Sequence, residues 1–130
     1  MPDYAKLLVQ AVFSKASGYD PPFEEFNKPA TLYASTPDEV DHREVECDTG
    51  AGTSIVTSTY TSVDYAIIFN RDGTNYVTVT FRSAGNSAVD NIVRVAAGKI
   101  LILTDITVAN NITIAANSAV VECELWIVGT

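Results

Sequence analysis

The sequence predicts an all-β protein of one domain, an antiparallel β-sandwich of jelly-roll type with seven to nine strands. Apolar and polar side chains alternate with a period of two over much of residues 63–106, as in strands that bury one face. Turn-forming residues recur about every ten positions. All five prolines lie at or before Pro37, so the later chain is free to form uninterrupted ladders. This combination is typical of β-sandwiches and jelly rolls.

The composition limits the classes of partner. A chain of 130 residues is long enough to bury a core of its own. Its 8 basic and 16 acidic side chains give a net charge of −8, which opposes binding to nucleic acid or anionic membranes. The only apolar run near the start, residues 7–9, lacks a basic leader, and no run is long enough for a membrane span. We therefore expect no signal peptide, no nucleic-acid partner and no membrane partner.

The first 29 residues contain a segment that fits either a helix or a strand. Residues 4–15 fit a helix after the cap residue Asp3, or a strand with one face formed by Leu7, Val9, Ala11 and Phe13. Because the rest of the chain is so rich in β patterns, we predict the strand. Residues 17–29 contain one glycine and three prolines, which predicts an extended arm or loop. The predicted organisation is an N-terminal strand and proline-rich arm (residues 1–29) followed by the β-sandwich (residues 30–130).

The next segment predicts two short strands and one ambiguous stretch. Residues 30–35 alternate and are typical of an edge strand, and Pro37 begins a turn. Residues 42–48 alternate with acidic side chains on one face, which predicts a strand. Residues 53–62 include seven serines and threonines, so this stretch is either a strand or a long ordered loop.

The strongest alternation lies in the middle of the chain. Residues 63–70 and 76–82 are joined by Arg71, Asp72 and Gly73, and this pattern predicts a β-hairpin. The sequence Ala96-Ala97-Gly98 predicts a tight corner. Residues 100–103 are all apolar, which indicates a strand that is covered on both faces.

The last thirty residues predict two strands. Asparagine pairs and turns bracket a short strand at residues 112–115, and a final strand has an inward face formed by Ala119, Val121, Cys123, Leu125 and Ile127.

Cys47 and Cys123 each alternate with apolar neighbours. Without a sign of secretion, buried free thiols are favoured over a disulfide.

The densest polar feature is an acidic segment that comprises Asp38, Glu39, Asp41, His42, Glu44, Glu46 and Asp48. Carboxylate oxygens are the ligands that calcium prefers. However, alternate carboxylates on a strand spread by about 7 Å per pair instead of converging. We interpret the segment as a solvated strand face that opposes aggregation, and we predict neither a metal nor a cofactor.

The sequence offers little for catalysis. His42 is the only histidine, and no serine or cysteine in a nearby turn forms an evident nucleophile and base pair with it. Gly50 and Gly52 are not followed by the lysine or helix of a phosphate loop. Glu122, Glu124 and Trp126 share one strand face, which either binds a sugar or, as we favour, meets another sheet, strand or subunit. We expect no enzymatic activity.

Two segments resemble small virion proteins of tailed bacteriophages. Residues 67–79 read IIFNRDGTNYVTV, and residues 93–103 read VRVAAGKILIL. Many such virion proteins carry an apolar strand, an N-x-D-x-T-N-Y turn, a second alternating strand and an R-L/V-x-A-G corner. The likeness covers residues 30–130 in layout and is sharp only across these two turns. It also implies a strand at residues 6–14, whereas the acidic segment at 38–48 departs from the pattern.

This resemblance implies a structural role without catalytic residues. The expected protein is a capsid decoration protein or a head or tail accessory subunit, made in the host cytoplasm and located in the virion. Its expected partners are major capsid, neck or tail subunits and further copies of itself, with a trimer as one expected form. The residues expected to bind a partner are those of the arm together with the single tryptophan: Tyr19, Pro21, Pro22, Phe23, Phe26 and Trp126.

Two other functions stay open at this point. The first alternative is a carbohydrate-binding module in which Trp126 acts with the tyrosines Tyr60 and Tyr76, because aromatic rings stack on sugar faces. A calcium-dependent hydrolase is a third and weaker hypothesis.

Overall fold

The computed structural model describes residues 5–13, 24–32, 39–55, 63–83, 86–104, 106 and 112–129. Within these ranges every regular element is a β-strand, so the all-β prediction is confirmed. No helix in the same ranges is long and apolar enough to span a membrane. The chain divides into two compact units, residues 1–36 and residues 37–130.

The first unit contains an antiparallel pair, β1 (Ala5–Phe13) and β2 (Glu24–Leu32). The strand predicted near the N-terminus is confirmed. The arm or loop predicted for residues 17–29 is wrong for residues 24–29, which belong to β2, and the predicted division between residues 29 and 30 falls inside this strand. Each strand of a two-stranded sheet keeps one unpaired edge, so β2 accommodates Pro29, which has no N–H to donate. Residues 17–23 lie outside the described ranges.

The second unit contains two antiparallel sheets of four strands each. The first sheet has the order β3-β10-β5-β8, and the second sheet has the order β4-β9-β6-β7. The strands are β3 (Glu39–Cys47), β4 (Thr53–Ser54), β5 (Val63–Asn70), β6 (Val77–Ser83), β7 (Asn86–Val95), β8 (Ile100–Leu103), β9 (Thr113–Ala116) and β10 (Val121–Gly129).

Both sheets contribute to one hydrophobic core, as in a β-sandwich. The first sheet supplies Ile68 and Leu125, and the second supplies Val79 and Ile114, all fully buried. Complete burial of such a side chain stabilises the fold by about 1.5–3 kcal/mol. The inward face predicted for the last strand is confirmed at Val121, Cys123, Leu125 and Ile127, whereas Ala119 is exposed and precedes β10.

The predicted hairpin of residues 63–70 and 76–82 is wrong. The strand β5 pairs with β10 and β8, while β6 pairs with β7 and β9, so the chain crosses from one sheet to the other between them. The buried Val77 and Val79 confirm the predicted inward face of β6. A strand alternates with a period of two whichever neighbour it pairs with, so alternation alone does not distinguish a hairpin from a crossing.

A single buried side chain, Asn70, explains the crossing. Its amide nitrogen donates to the carbonyl oxygens of Asn75 (2.9 Å) and Val95 (3.2 Å), and its side-chain oxygen accepts from the Asp72 backbone N–H (3.0 Å). Its own backbone N–H and C=O bond to Lys99 and Gly98. Asn70 therefore joins the β5–β6 crossing to the β7–β8 corner inside the core.

The corner at Ala96-Ala97-Gly98 is confirmed. Gly98 has a φ of 69°, and the Lys99 N–H donates to the Ala96 carbonyl across the turn. The strand that follows, β8, lies at the edge of the first sheet. The prediction that both its faces are covered is wrong, because Ile100 is 61% exposed.

Residues 53–62 fit either a strand or a loop by sequence. The described part of this stretch consists of the two-residue β4 and the buried Ile55, and residues 56–62 lie outside the described ranges. Gly52 precedes β4 with a φ of 78°, and a Cβ there would lie 2.7 Å from the Ile114 carbonyl oxygen. A glycine is therefore required for β4 to reach β9.

The strand predicted at residues 42–48 is confirmed as β3, which begins at Glu39. Cys47 and Cys123 lie on the inward faces of β3 and β10 and are buried free thiols, as predicted. A hydrogen bond with Cys47, together with burial, raises the pKa of the Cys123 thiol.

Candidate functional site

The candidate site lies on the outer face of the first sheet. In the register of β3 with β10, Trp126 is opposite His42, Glu124 is opposite Glu44, and Glu122 is opposite Glu46. The sequence predicted these two rows separately, and the register brings them together on adjacent strands. We call this surface the acid–aromatic face and define it as His42, Glu44, Glu46, Arg71, Glu122, Glu124 and Trp126.

The aromatic end of the face is held by two contacts of His42. The imidazole stacks on the indole of Trp126, with ring centroids 3.6 Å apart and planes inclined by 8°. Its Nε2 lies 2.7 Å from Oε1 of Glu124. This hydrogen bond lowers the pKa of the Glu124 carboxyl. The imidazole therefore has a defined orientation between an aromatic ring and a carboxylate.

Arg71 is the residue of this face that sequence reasoning missed. Its Nη1 pairs with Glu44 and lies 3.6 Å from Oε1 of Glu122, and its backbone N–H donates to the Glu122 carbonyl. Arg71 comes two positions after Phe69, so the period of two could have placed it on the outer face. With four carboxylates and one guanidinium, the face carries a charge of −3 when His42 is neutral.

Beside Arg71 lies an open depression of about 480 Å³, lined by Glu46, Arg71, Asp72, Gly73, Val120 and Glu122. Asp72 is fixed at its rim, because its Oδ1 accepts the backbone N–H groups of Asn75 and Thr74. These bonds lower the pKa of Asp72. Among the residues that the structure describes, no group of three His, Cys, Asp or Glu side chains is placed to hold a metal ion.

Beside the acid–aromatic face, the outer surface of the first sheet becomes apolar toward β5 and β8. Ile67 is the β5 neighbour of Trp126, and Phe69 is that of Glu124. On β8, Ile102 and Ile100 continue these two rows. Acidic side chains at β3 thus give way to apolar ones at β8 across a single surface.

The geometry offers no pair of nucleophile and base in the described part of the chain. His42 is bonded to Glu124, and no hydroxyl or thiol of the described residues is hydrogen-bonded to it. A base held by a carboxylate without an adjacent nucleophile lacks the arrangement of covalent catalysis. What the face offers is a combination of charge, hydrogen-bonding groups and apolar area.

The aromatic rings proposed for sugar binding are partly covered. Trp126 is 39% exposed, and His42 covers one face of its indole. The Arg94 guanidinium lies 3.6 Å above the ring of Tyr76. Tyr60 lies outside the described ranges. A sugar that stacks on an indole or phenol needs an open ring face. In Trp126 and Tyr76 a neighbouring side chain already covers one face of the ring.

The residues expected to bind a partner lie in different parts of the chain. Trp126 is in β10 of the second unit and belongs to the acid–aromatic face. Phe26 is in β2 of the first unit, opposite Ala11. Tyr19, Pro21, Pro22 and Phe23 lie outside the described ranges.

Comparisons of the chain with models of known protein families, with curated proteins and with solved structures gave no match. The acid–aromatic face and the motifs at residues 67–79 and 93–103 are therefore the features of the chain that bear on its function.

Proposed function

We propose that the chain is a structural subunit of a tailed-bacteriophage virion, a capsid decoration protein or a head or tail accessory subunit, and that it acts through protein–protein contacts. The observation that carries this proposal is the acid–aromatic face, in which Trp126 and ordered charges adjoin the apolar side chains of β5 and β8 on one side of a sheet. Protein interfaces are commonly built from an aromatic centre with a polar rim.

We further propose that the sandwich is a jelly roll, an architecture found in viral capsid domains. Six of the seven connections from β3 to β10 cross between the sheets, and only the β6–β7 connection stays within one sheet. The first and last strands of the series, β3 and β10, lie side by side. This strand order supports the jelly-roll assignment.

The chemistry of the face suggests the kind of surface that it contacts. Four carboxylates around Arg71 favour a partner surface with exposed lysine or arginine side chains, and Trp126 with Ile67 favours an apolar centre. Complementary charge speeds encounter and fixes the orientation of binding. On a virion the same contact is repeated at many sites, so modest affinity per site is sufficient when several sites engage together.

Other parts of the expected role belong to the same proposal. Tyr19, Pro21, Pro22 and Phe23, together with Phe26 in β2, are proposed as a second contact with a neighbouring virion protein, because aromatic side chains are enriched at protein interfaces. The subunit is proposed to form a homo-oligomer, with a trimer as one form, and to be made in the host cytoplasm before assembly.

The test is to quantify the chain in virus particles. Particles are purified on a density gradient from a lysate of the strain that carries the gene, and the chain is measured by mass spectrometry with isotope-labelled peptides. We expect it to band with the particles at tens of copies or more per particle. Absence from the particle band, with the chain recovered in the unbound fractions, would overturn the proposal.

The carbohydrate-binding alternative has less support, because His42 covers one face of the Trp126 indole. It is tested by titrating a glycan panel while recording tryptophan emission, since the chain has one tryptophan. A saturable shift in the emission would favour this alternative.

A further inference from the structure

The four edges of the two sheets differ in how well they are protected against pairing with another strand. β4 and β8 are edges of two and four residues. The longer edge strand β3 carries acidic side chains along its length. Short length and charge are common ways in which proteins prevent edge strands from pairing. Three of the four edges are therefore protected.

The fourth edge, β7, lacks these features. It is ten residues long, contains neither proline nor lysine, and has only two charged residues, Asp90 and Arg94. Val89 is 53% exposed, and Ile92 is 68% exposed on the outer face. Among the described residues no strand pairs with the outer edge of β7, so the backbone groups of this edge are available for a second strand to bond.

The order of side chains on β7 shows which strand fits. Asp90 and Arg94 lie at equal distances along the strand on either side of Ile92, and all three are exposed. If two copies of β7 lie antiparallel with Ile92 opposite Ile92, Asp90 of each copy faces Arg94 of the other. The strand is therefore complementary to itself in both charge and apolar contact.

We propose that β7 is a self-association edge, at which two copies of the chain pair antiparallel about a two-fold axis through Ile92. The second sheets of the two copies then form one continuous eight-stranded sheet. Each copy contributes the same surface, as closed two-fold symmetry requires.

The contacts within one copy prepare both charges for this pairing. Arg82 donates to Oδ1 of Asp90 at 2.7 Å, which fixes the carboxylate on the outer face. The Arg94 guanidinium carbon lies 3.6 Å from the centroid of the Tyr76 ring, and this contact restricts its position. A carboxylate accepts several hydrogen bonds, so Asp90 can bind Arg82 and the Arg94 of a second copy together.

The edge of β3 would not pair with itself in this way. Its side chains include Asp41, Glu44 and Glu46, so two copies would bring carboxylates close together. Like charges across a strand pair are destabilising. Self-association at β7 specifies one interface of the proposed homo-oligomer, but it does not depend on a location in the virion, because it is inferred from the edge itself.

The first experiment is cross-linking through engineered cysteines. Ile92→Cys places a thiol on the proposed axis, and Ile100→Cys, at 61% exposure on the edge strand β8, is the matched control. The native thiols of Cys47 and Cys123 are buried. Under mild oxidation we expect a disulfide-linked dimer from Ile92→Cys at a rate at least tenfold above that of Ile100→Cys. Equal rates for the two variants would overturn the proposal.

The second experiment exchanges the two charges. Asp90→Arg alone and Arg94→Asp alone place like charges opposite each other, whereas the double variant restores opposite charges. By analytical ultracentrifugation we expect each single change to weaken dimerisation at least tenfold and the double change to recover most of the loss. Circular dichroism and thermal melting verify that each variant is folded. A wild-type monomer at millimolar concentration, or folded single variants that dimerise like the wild type, would overturn the proposal.

Discussion

The two sheets of the sandwich present different chemistry to solvent. On the first sheet, the acid–aromatic face concentrates four carboxylates, one guanidinium and a stacked histidine–tryptophan pair. On the second sheet, the register aligns a row of hydroxyl groups that ends at an exposed isoleucine, in the order Ser54, Thr113, Thr80 and Ile92. Each outer face has an aromatic ring that another side chain covers. His42 stacks on Trp126 on the first sheet, and Arg94 lies over Tyr76 on the second.

The inner faces, by contrast, are alike. Both sheets bury valine and isoleucine side chains in the common core. Exposed ion pairs contribute only about 0–1 kcal/mol each, so stability gives little reason to gather so many charges on one sheet. This difference indicates that the core specifies the sandwich, and it favours the first sheet as the surface that binds a virion partner.

The largest expected effect is at the crossing that separates the two sheets. Asn70→Ala removes the side-chain donor to the carbonyl groups of Asn75 and the buried Val95, and it leaves the Asp72 N–H without its acceptor. We expect a loss of about 2–4 kcal/mol in the free energy of unfolding, measured by urea denaturation. The exposed Asn117→Ala is the control, with an expected change within about 0.5 kcal/mol. Equal losses in the two variants would show that Asn70 does not secure the crossing.

The next effect distinguishes the two aromatic rings. Trp126→Ala on the first sheet is expected to weaken binding to purified virus particles by about 30-fold, because a buried tryptophan at an interface contributes about 2 kcal/mol or more. Tyr76→Ala on the second sheet is the matched control and is expected to change binding less than twofold. Co-sedimentation with particles measures both affinities. The reverse ranking would move the contact to the second sheet.

A smaller effect is expected from charge. Glu46→Gln with Glu122→Gln raises the net charge by two, and so does Thr78→Lys with Thr80→Lys on the other sheet. We expect the glutamine pair to slow association with particles by about tenfold at low salt, with the difference decreasing as salt is added. The lysine pair is expected to change the rate less than twofold, as measured by stopped-flow mixing.

The smallest effect concerns the pH dependence of stability. The pKa of Glu124 is lowered by its hydrogen bond to His42, so its stabilising contribution is present above the ordinary value of 4.5 and is lost as the pH falls through the lowered pKa. Glu124→Gln should therefore decrease the melting temperature at pH 7 and not at pH 2. In a His42→Ala background the decrease at pH 7 should disappear. A decrease of equal size at both pH values would contradict this assignment.

Periodicity predicted the strands well because burial acts on individual side chains. Val79 lies between two threonines and Cys123 between two glutamates, and both are buried as the pattern indicates. The acidic row at Glu44 and the row at Trp126 were both visible in the sequence. Their placement on adjacent strands was not, because the pairing of β3 with β10 joins residues about eighty positions apart.

Pairing also explains the errors. The turn at Arg71, Asp72 and Gly73 suits a hairpin, whereas the hydrogen bonds of the Asn70 side chain hold the chain where it crosses to the other sheet. The prolines near residues 24–29 predict an arm, yet a two-stranded sheet accommodates Pro29 at an edge. Local sequence does not specify which neighbour a strand will have.

The role of the acid–aromatic face as the partner-binding surface is tested most directly by hydroxyl-radical footprinting of the chain, free and bound in purified particles. Trp126 is the only tryptophan, so its oxidation is read without ambiguity by mass spectrometry, and Tyr76 reports on the second sheet. We expect binding to slow the oxidation of Trp126 several-fold and to leave that of Tyr76 unchanged. Unchanged oxidation of Trp126 in the bound chain would contradict the assignment of the acid–aromatic face as the partner-binding surface.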